Sequence, residues 1–298
     1  MNWENKLKER VTEIEAVIEK YLPVETGFQK TVIEAMNYSV LAGGKRLRPM
    51  LMEETFRLFG GKGEVVEPFM AAIEMIHTYS LVHDDLPAMD DDEYRRGRKT
   101  THMVYGEGMA ILAGDGLLNL AFETALKAFD VAGDNVYIGK ALQVFAKKSG
   151  IYGMIGGQTA DIEAEEMPEE KIRNELLLYI HENKTAALIQ SAMMVGAILA
   201  GAKTEEIETM EKIAYNVGIA FQIQDDILDV TSSLEVLGKM TGSDDKNNKV
   251  TYVTLNGMDK AKEDVEKLSK EAINLLNSFG NKNEFLNQLI ESLITREK

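Results

Sequence analysis

The chain has 298 residues, a net charge of −16 and no cysteine. The negative charge argues against a nucleic-acid partner, because such a partner calls for a basic face. The lack of cysteine excludes disulfides, thiolate metal sites and a cysteine nucleophile, and it agrees with a reducing cytoplasm. No signal peptide is evident in the segment from Met1 to Lys6, which lacks an apolar region, so we expect a cytoplasmic protein.

Apolar segments of helical period, separated by short breaks, predict a single all-α domain over residues 1–298. The chain contains only 5 prolines and no linker or repeat, which favours this interpretation. The apolar stretch from Thr185 to Ala202 contains Gln190 and Ser191, so we interpret it as a core helix and expect no membrane span. Helices are predicted near residues 3–21, 27–42, 46–59, 65–86, 105–129, 135–150, 170–201, 204–230 and 258–295.

The first basic segment is Gly43-Gly44-Lys45-Arg46-Leu47-Arg48-Pro49. Its two glycines end one helix, and Lys45 and Arg48 then lie three residues apart at the start of the next. Cations at a helix N-terminus oppose the helix dipole unless an anion is present, so the segment suits a phosphate. A solvated basic turn is the alternative interpretation.

The first acidic cluster runs from His83 to Asp92 and follows a long apolar helix. Asp84 and Asp90 are six residues apart and would not share a helix face, but Pro87 disfavours helical geometry at Leu86. The chain can therefore loop and return Asp90 toward Asp84. A lone acidic cluster could also be a solvated helix end or a Ca²⁺ loop.

The second acidic cluster, Gln224-Asp225-Asp226-Ile227-Leu228-Asp229, also ends an apolar helical segment. Asp225 and Asp229 are four residues apart and share a helix face, and Gln222 points roughly toward them. Uncompensated carboxylates at the ends of buried helices are costly, and divalent cations remove that cost. Because the ligands are oxygens, the two clusters predict Mg²⁺ or Mn²⁺ bridged to substrate phosphates.

Further basic groups could hold phosphate, and each also has a simpler structural interpretation. Arg95-Arg96-Gly97-Arg98 follows the acidic run and could simply neutralise it. Lys184-Thr185 lies within an apolar helix, where a lysine faces a cavity or snorkels to the surface. Lys239 and Lys249 lie in or beside a polar segment, residues 238–252, that we interpret as a loop able to close over a site. His77, two turns before Asp84, is either a ligand of substrate or a core histidine.

These motifs together resemble the trans-isoprenyl diphosphate synthases, of the bacterial farnesyl diphosphate synthase type. The resemblance runs from Gly43 to Lys249 in motif order and includes Gly156-Gly157-Gln158. It implies a bundle of roughly ten or more helices around a deep central cavity, usually as a homodimer. The implied reaction is Mg²⁺-dependent transfer of a prenyl group from an allylic diphosphate to isopentenyl diphosphate, by ionisation, condensation and loss of a proton.

The resemblance also implies a role for each matching residue. The metal ligands, for roughly two or three Mg²⁺ ions with Mn²⁺ as a substitute, would be Asp84, Asp85, Asp90, Asp225, Asp226 and Asp229. The allylic diphosphate would contact Arg95, Lys184, Lys239 and Lys249. Isopentenyl diphosphate would be held by Lys45, Arg48, His77 and Arg96. Thr185 and Gln222 would lie beside the developing allylic cation.

Product length is the remaining expectation. Tyr79 precedes Asp84 by five residues, a little over one helical turn. In the resembling family an aromatic residue at this position is typical of farnesyl-length synthases, so Tyr79 would form the floor beneath the growing chain, with the smaller Ser80 of less effect. The alternative is that Tyr79 only packs between helices.

Other functions remain open from the sequence. The competing enzymes are a geranylgeranyl diphosphate synthase and a class I terpene cyclase. The competing non-enzymes are a non-catalytic subunit of a heteromeric synthase and an acidic Ca²⁺-binding helical protein. Lys45, Arg48 and the second aspartate cluster count against a cyclase, and Lys184 within an apolar helix counts against a simple Ca²⁺ protein.

Overall fold

The structure is a computed structural model that describes residues 2–133, 135–231 and 250–294. Nearly all regular structure in these residues is helical, which confirms the predicted all-α class. The chain's internal contacts divide it into two compact units, residues 1–53 with 62–142, and residues 54–61 with 143–298. A single domain over the whole length therefore stays a prediction, and we describe each unit by itself.

The helices of the first unit are α1 (Trp3–Lys20), α2 (Lys30–Val40), α4 (Glu67–Asp84), α5 (Thr101–Tyr105), α6 (Glu107–Leu126) and α7 (Ala128–Ala132). Two helices, α3 (Leu47–Leu58) and α8 (Val136–Ser149), contain residues of both units. The second unit contains α9 (Met154–Glu165), α10 (Asn174–Ile180), α11 (Ala187–Leu199), α12 (Thr204–Thr231), α13 (Tyr252–Asn256), α14 (Met258–Ser278) and α15 (Glu284–Ile294). Short 3₁₀ and π segments occupy Glu169–Lys171 and His181–Ala186.

Helix α4 is the centre of the first unit. It is apolar on nearly every side, with Phe69, Ile73 and Ile76 fully buried, and such a helix must be enclosed by its neighbours. It packs against α6, and also against α1 and α2. The close approach to α6 depends on Gly114, because the His83 ring occupies the space that a Cβ there would need. This packing fixes the end of α4, where the first acidic cluster begins.

A small hairpin follows that cluster in the first unit. Strands β1 (Tyr94–Arg95) and β2 (Arg98–Lys99) pair antiparallel, with Arg95 opposite Arg98. The two turn residues, Arg96 and Gly97, have φ angles of 53° and 75°, as a tight two-residue turn of this kind requires. Tyr38 of α2 holds the hairpin by donating its hydroxyl to the carbonyl of Lys99 at 2.7 Å.

In the second unit, α11 is buried at every position, which confirms that the stretch from Thr185 to Ala202 forms a core helix. It packs on α12, which also contacts α14. A π-helical segment, His181–Ala186, joins α10 to α11. Its widened turn lies between two glycines, Gly157 of α9 and Gly218 of α12, where any side chain would overlap the segment.

One described stretch, Glu107–Ala132, is long and apolar enough to cross a membrane by length and composition, and 39% of an 18-residue window within it is buried. Its buried residues include Ala113, Leu117 and Ala121, within a helix that packs on α4 and α2. Core helices pass the same test, so this stretch is weak evidence for a span. Its exposed side carries Ile111, Leu112 and Leu126.

Candidate active site

The first acidic cluster has the returning loop that its sequence predicted. Asp84 is the last residue of α4, and Asp85 caps the helix. After the turn, the N–H of Asp90 donates to the carbonyl of Asp84 at 2.8 Å. Asp91 next to it has a φ of 52°. The loop therefore brings Asp90 back beside Asp84, which confirms the geometric prediction.

Asp85 and Arg95 bind each other in this structure. Asp85 is buried, and Arg95 Nε donates to its Oδ1 at 2.7 Å. Arg95 also donates to Asp92 at 3.3 Å. Burial raises the pKa of Asp85, while the hydrogen bond and charge of Arg95 oppose that rise. Asp85 as a metal ligand and Arg95 as a diphosphate contact both stay predictions, because each role would require this pair to loosen.

Several arginines of the first unit lie close enough to His77 for their charges to act on it. Burial lowers the pKa of Arg48 to about 10, so the side chain stays charged at neutral pH. Burial, and then the charges of Arg48 and Arg96, hold the pKa of His77 well below its usual value, so this imidazole is neutral. Arg48 Nε is buried and has no hydrogen-bond partner among the described residues. Such an orphaned donor favours an anionic ligand at this place.

Arg96 depends on the glycines that precede the basic segment. Its Nη1 donates to the carbonyl of Gly43. A Cβ on Gly44 would lie 2.6 Å from the same nitrogen, so a side chain there would displace the guanidinium from this position. Gly44 also has a φ of 138°, which disfavours other residues. Lys45 is exposed.

Tyr79 is buried in α4 beside His83, with the two rings edge to face at 5.9 Å. Burial, followed by the charge of Asp84, raises the pKa of Tyr79 to about 12, so its hydroxyl is neutral. That hydroxyl is buried without a hydrogen-bond partner among the described residues. Ser80 donates its hydroxyl to the carbonyl of His77 at 2.9 Å.

In the second unit, the π-helical segment presents Lys184 and Thr185 to a cavity of about 150 Å³. The same cavity is lined by Asp161, Gln222 and Asp226. Lys184 forms an ion pair with Asp161 of α9. Lys184 therefore faces a cavity, as one of the two interpretations of the sequence predicted. Its ammonium group is paired with the carboxylate of Asp161 in this structure.

A hydrogen-bonded chain connects the predicted residues of this unit. Thr185 Oγ1 donates to Gln222 Oε1 at 3.0 Å, and Gln222 Nε2 donates to Asp226 Oδ1 at 3.3 Å. The backbone N–H of Tyr252 donates to Asp226 Oδ2 at 2.8 Å. Burial lowers the pKa of the nearby His181 to about 4, so that imidazole is neutral. Asp225 and Asp229 lie half-buried on α12.

The carboxylates fit Mg²⁺ that is shared with a diphosphate. Within residues 2–133, 135–231 and 250–294, no three acidic or histidine side chains converge to enclose an ion. Mg²⁺ commonly takes only one or two protein carboxylates and completes its shell with substrate phosphate and water. Asp84 with Asp90 in one unit, and Asp225 with Asp229 in the other, are oxygen donors of that kind. Lys239 and Lys249 lie outside the described residues.

Four residues near these sites were not predicted from the sequence. Asp161 follows the quoted Gly156-Gly157-Gln158 segment by three residues, and this spacing on α9 could have revealed it. Tyr38 anchors the hairpin and also packs against Arg98, whose guanidinium lies 4.3 Å from its ring centre. His181 and Tyr252 contact Asp226 from distant parts of the chain, and no local pattern marks them.

The model of the polyprenyl synthetase family matches residues 29–293. The chain therefore belongs to the polyprenyl synthetase family, whose activity is prenyl transfer.

Particular relatives carry different product names. A dimethylallyltranstransferase of Fischerella ambigua is 42% identical over 99% of this chain and 84% of its own length. A heterodimeric geranylgeranyl pyrophosphate synthase large subunit of Arabidopsis thaliana is 43% identical over 89% of this chain and 69% of its own. The crystal structure of a geranyltransferase from Helicobacter pylori, complexed with magnesium and isoprenyl diphosphate, has a TM-score of 0.83 at 30% identity, covering 99% of this chain and 97% of that one.

Proposed function

We propose that this chain condenses isopentenyl diphosphate with dimethylallyl and geranyl diphosphate to give mainly farnesyl diphosphate. The observation that supports a farnesyl-length product is Tyr79, a buried ring a little over one turn before Asp84 in α4. A bulky side chain at that depth limits the hydrocarbon that can extend below the diphosphate. The polyprenyl synthetase membership and the relatives named above support the reaction class.

We assign isopentenyl diphosphate to the basic residues of the first unit that lie around His77. Arg48 and Arg96 supply charge-assisted donors, Lys45 adds an exposed cation, and neutral His77 supplies a polar contact. The orphaned Nε of Arg48 supports this assignment, because a phosphate oxygen would satisfy it. Binding by fixed cations positions the double bond for attack and contributes no covalent chemistry of its own.

We assign the allylic diphosphate to the aspartates through Mg²⁺, together with Arg95 and Lys184. Bound Mg²⁺ would supply Lewis-acid stabilisation of the leaving diphosphate. Lys184 would leave Asp161 and donate to the diphosphate, and Arg95 would likewise turn from Asp85. These cations stabilise the negative charge that develops on the leaving group. Thr185 and Gln222 present oxygen atoms beside the carbon that becomes positive, and the cavity keeps water away.

Two alternatives share this site. A geranylgeranyl diphosphate synthase would use the same residues with more room below Tyr79, and the Arabidopsis relative carries that product name. A non-catalytic subunit of a heteromeric synthase would bind substrates without turnover. We favour the active enzyme because every aspartate and basic residue that the resemblance requires is present in the sequence.

We further propose a cytoplasmic homodimer. The exposed side of α6 carries Ile111, which is 46% exposed, and Leu112, which is 54% exposed. Two such copies packed together would cover apolar surface that is otherwise in water.

Incorporation of labelled isopentenyl diphosphate into a prenyl product tests the reaction. We expect incorporation that requires both an allylic diphosphate and Mg²⁺ or Mn²⁺. The assay is repeated with excess chelator and with Asp84→Ala and Asp225→Ala, each expected to reduce turnover by orders of magnitude. Full activity in chelator would contradict the metal assignment, and binding of both substrates without product would favour the non-catalytic subunit.

A further inference from the structure

Asp226 is buried, whereas its neighbours Asp225 and Asp229 are half-buried, and the oxygens of Asp226 accept hydrogen bonds from protein groups. Gln222 Nε2 donates to Oδ1 at 3.3 Å, and the N–H of Tyr252 donates to Oδ2 at 2.8 Å. Each oxygen thus receives a hydrogen bond from a neighbouring donor, and a carboxylate, which only accepts, suits this arrangement.

This carboxylate determines the direction of the hydrogen bonds beyond it. The Tyr252 donor is a backbone N–H and cannot reverse. Since Asp226 only accepts, Gln222 must turn its amide NH₂ toward it, and Gln222 Oε1 then faces Thr185. The single hydroxyl proton of Thr185 is donated to that oxygen at 3.0 Å. Thr185 Oγ1 is left with only lone pairs for any other partner.

We infer that Asp226 is a positioning residue that acts through Gln222 and Thr185 to keep electron-rich oxygen, and no hydroxyl proton, toward the reacting carbon. Thr185 and Gln222 both line the cavity of the second unit. Lone pairs there stabilise a positive carbon, whereas a hydroxyl proton would repel it. The inference rests on the proposed prenyl transfer, and it gives Asp226 a role distinct from that of a metal ligand.

The substitution Asp226→Asn would reverse the direction of the hydrogen bonds from residue 226 through Gln222 to Thr185, with almost no change in side-chain shape. The new amide would accept the Tyr252 N–H with its oxygen and donate its NH₂ to Gln222 Oε1, so the Gln222 amide must flip. Gln222 would then donate to Thr185 Oγ1, and the Thr185 proton would be released toward the cavity. Adding Gln222→Glu restores the original direction of the Thr185 hydrogen bond, because the new carboxylate accepts both from the amide introduced at position 226 and from Thr185. The double variant also keeps the net charge.

The test compares wild type, Asp226→Asn and Asp226→Asn/Gln222→Glu in single-turnover condensation of geranyl and isopentenyl diphosphates. Calorimetric titration with Mg²⁺ and inorganic pyrophosphate, and thermal unfolding, are measured on the same proteins. We expect Asp226→Asn to slow the chemical step by about 10- to 100-fold, with pyrophosphate affinity and melting temperature near wild type. The double variant should recover most of the lost rate. Asp225→Asn, the matched control at a proposed ligand, should weaken Mg²⁺–pyrophosphate binding.

Three results would overturn the inference: a wild-type rate in Asp226→Asn, loss of Mg²⁺–pyrophosphate affinity in that variant, or a double variant no faster than the single one. The rescue also decides the question if Asp226→Asn is less stable, because a structural loss at residue 226 would not be recovered by a carboxylate at residue 222. A wild-type protein that forms no prenyl product would instead contradict the proposed function itself.

Discussion

Arg46 and Arg48, two residues apart in one basic segment, have different roles at the residue scale. Arg46 is buried and donates to Glu74 at 2.9 Å and to the carbonyl of Val40 at 2.8 Å. The Nε of each arginine is buried without a hydrogen-bond partner among the described residues, but Arg46 also has the ion pair with Glu74. The sequence predicts a phosphate site in the segment but does not separate a cation that supports the fold from one that would bind a ligand. The ion pair with Glu74 makes that difference.

Substitution of the two arginines should therefore give opposite results. Arg46→Ala removes the hydrogen-bonded partner of the buried Glu74, and we expect a loss of about 3–5 kcal/mol in the free energy of unfolding. Arg48→Ala should leave stability nearly unchanged and raise the Michaelis constant for isopentenyl diphosphate by about 10- to 100-fold. Urea denaturation and steady-state kinetics measure the two effects. Equal destabilisation by both variants would contradict the distinction.

Tyr79 is the second test at this scale. Removing its ring in Tyr79→Ala should open the space below the diphosphate and yield geranylgeranyl and longer products. Tyr79→Phe is the matched control, since it removes only a hydroxyl that lacks a partner among the described residues, and it should retain farnesyl length. If Tyr79 merely packs between helices, Tyr79→Ala would cost about 3–5 kcal/mol of stability and leave the product unchanged.

At the scale of elements, strong apolar periods were predicted well and glycine-rich or very short elements were not. The predicted helices near 65–86 and 204–230 correspond to α4 and α12. Helix α9 was missed because Gly156 and Gly157 lower helix propensity. The hairpin was missed because its two-residue strands carry no period. The predicted helix near 258–295 is broken between Ser278 and Glu284.

The surroundings of Gly157 explain why α9 contains a glycine there, although glycine lowers helix propensity. A Cβ there would overlap the backbone N of Lys184, so Gly157→Ala should separate α9 from the π-helical segment. We expect a loss of about 1–3 kcal/mol of stability together with reduced turnover. Gly139→Ala in α8 is the control, because a Cβ there meets nothing within 4 Å, and it should stabilise by about 0.5–1 kcal/mol. Thermal unfolding of both variants checks the prediction; an undamaged Gly157→Ala would contradict it.

At the scale of the whole molecule, the apolar side of α6 predicts self-association. Leu112→Glu would place a charge in the proposed interface, so we expect the variant to remain monomeric under conditions where the wild type is dimeric. Light scattering coupled to gel filtration measures the mass. Val24→Glu, at another exposed apolar position of the first unit, serves as the control and should not change it. A wild-type monomer, or equal effects of both variants, would contradict the proposed surface.

The hydrogen bonds and ion pairs of the candidate residues were harder to predict from the sequence than the loop that returns Asp90 to Asp84. Charge, spacing and Pro87 were enough to predict that Asp90 returns to Asp84. The pairing of Arg95 with Asp85, of Lys184 with Asp161, and of Tyr252 with Asp226 depends on contacts between residues far apart or on burial. No local pattern carries that information, and the direction of the hydrogen bonds around Gln222 follows only from the assembled side chains.

The most direct measurement of the central claim is the chain length of the wild-type product. The protein is incubated with isopentenyl and dimethylallyl diphosphates and Mg²⁺, and the released alcohols are separated by chromatography after phosphatase treatment. With Tyr79 as the floor beneath the growing hydrocarbon chain, we expect mainly farnesol. A product that is chiefly geranylgeraniol would contradict the assignment of Tyr79 and favour the longer-chain synthase.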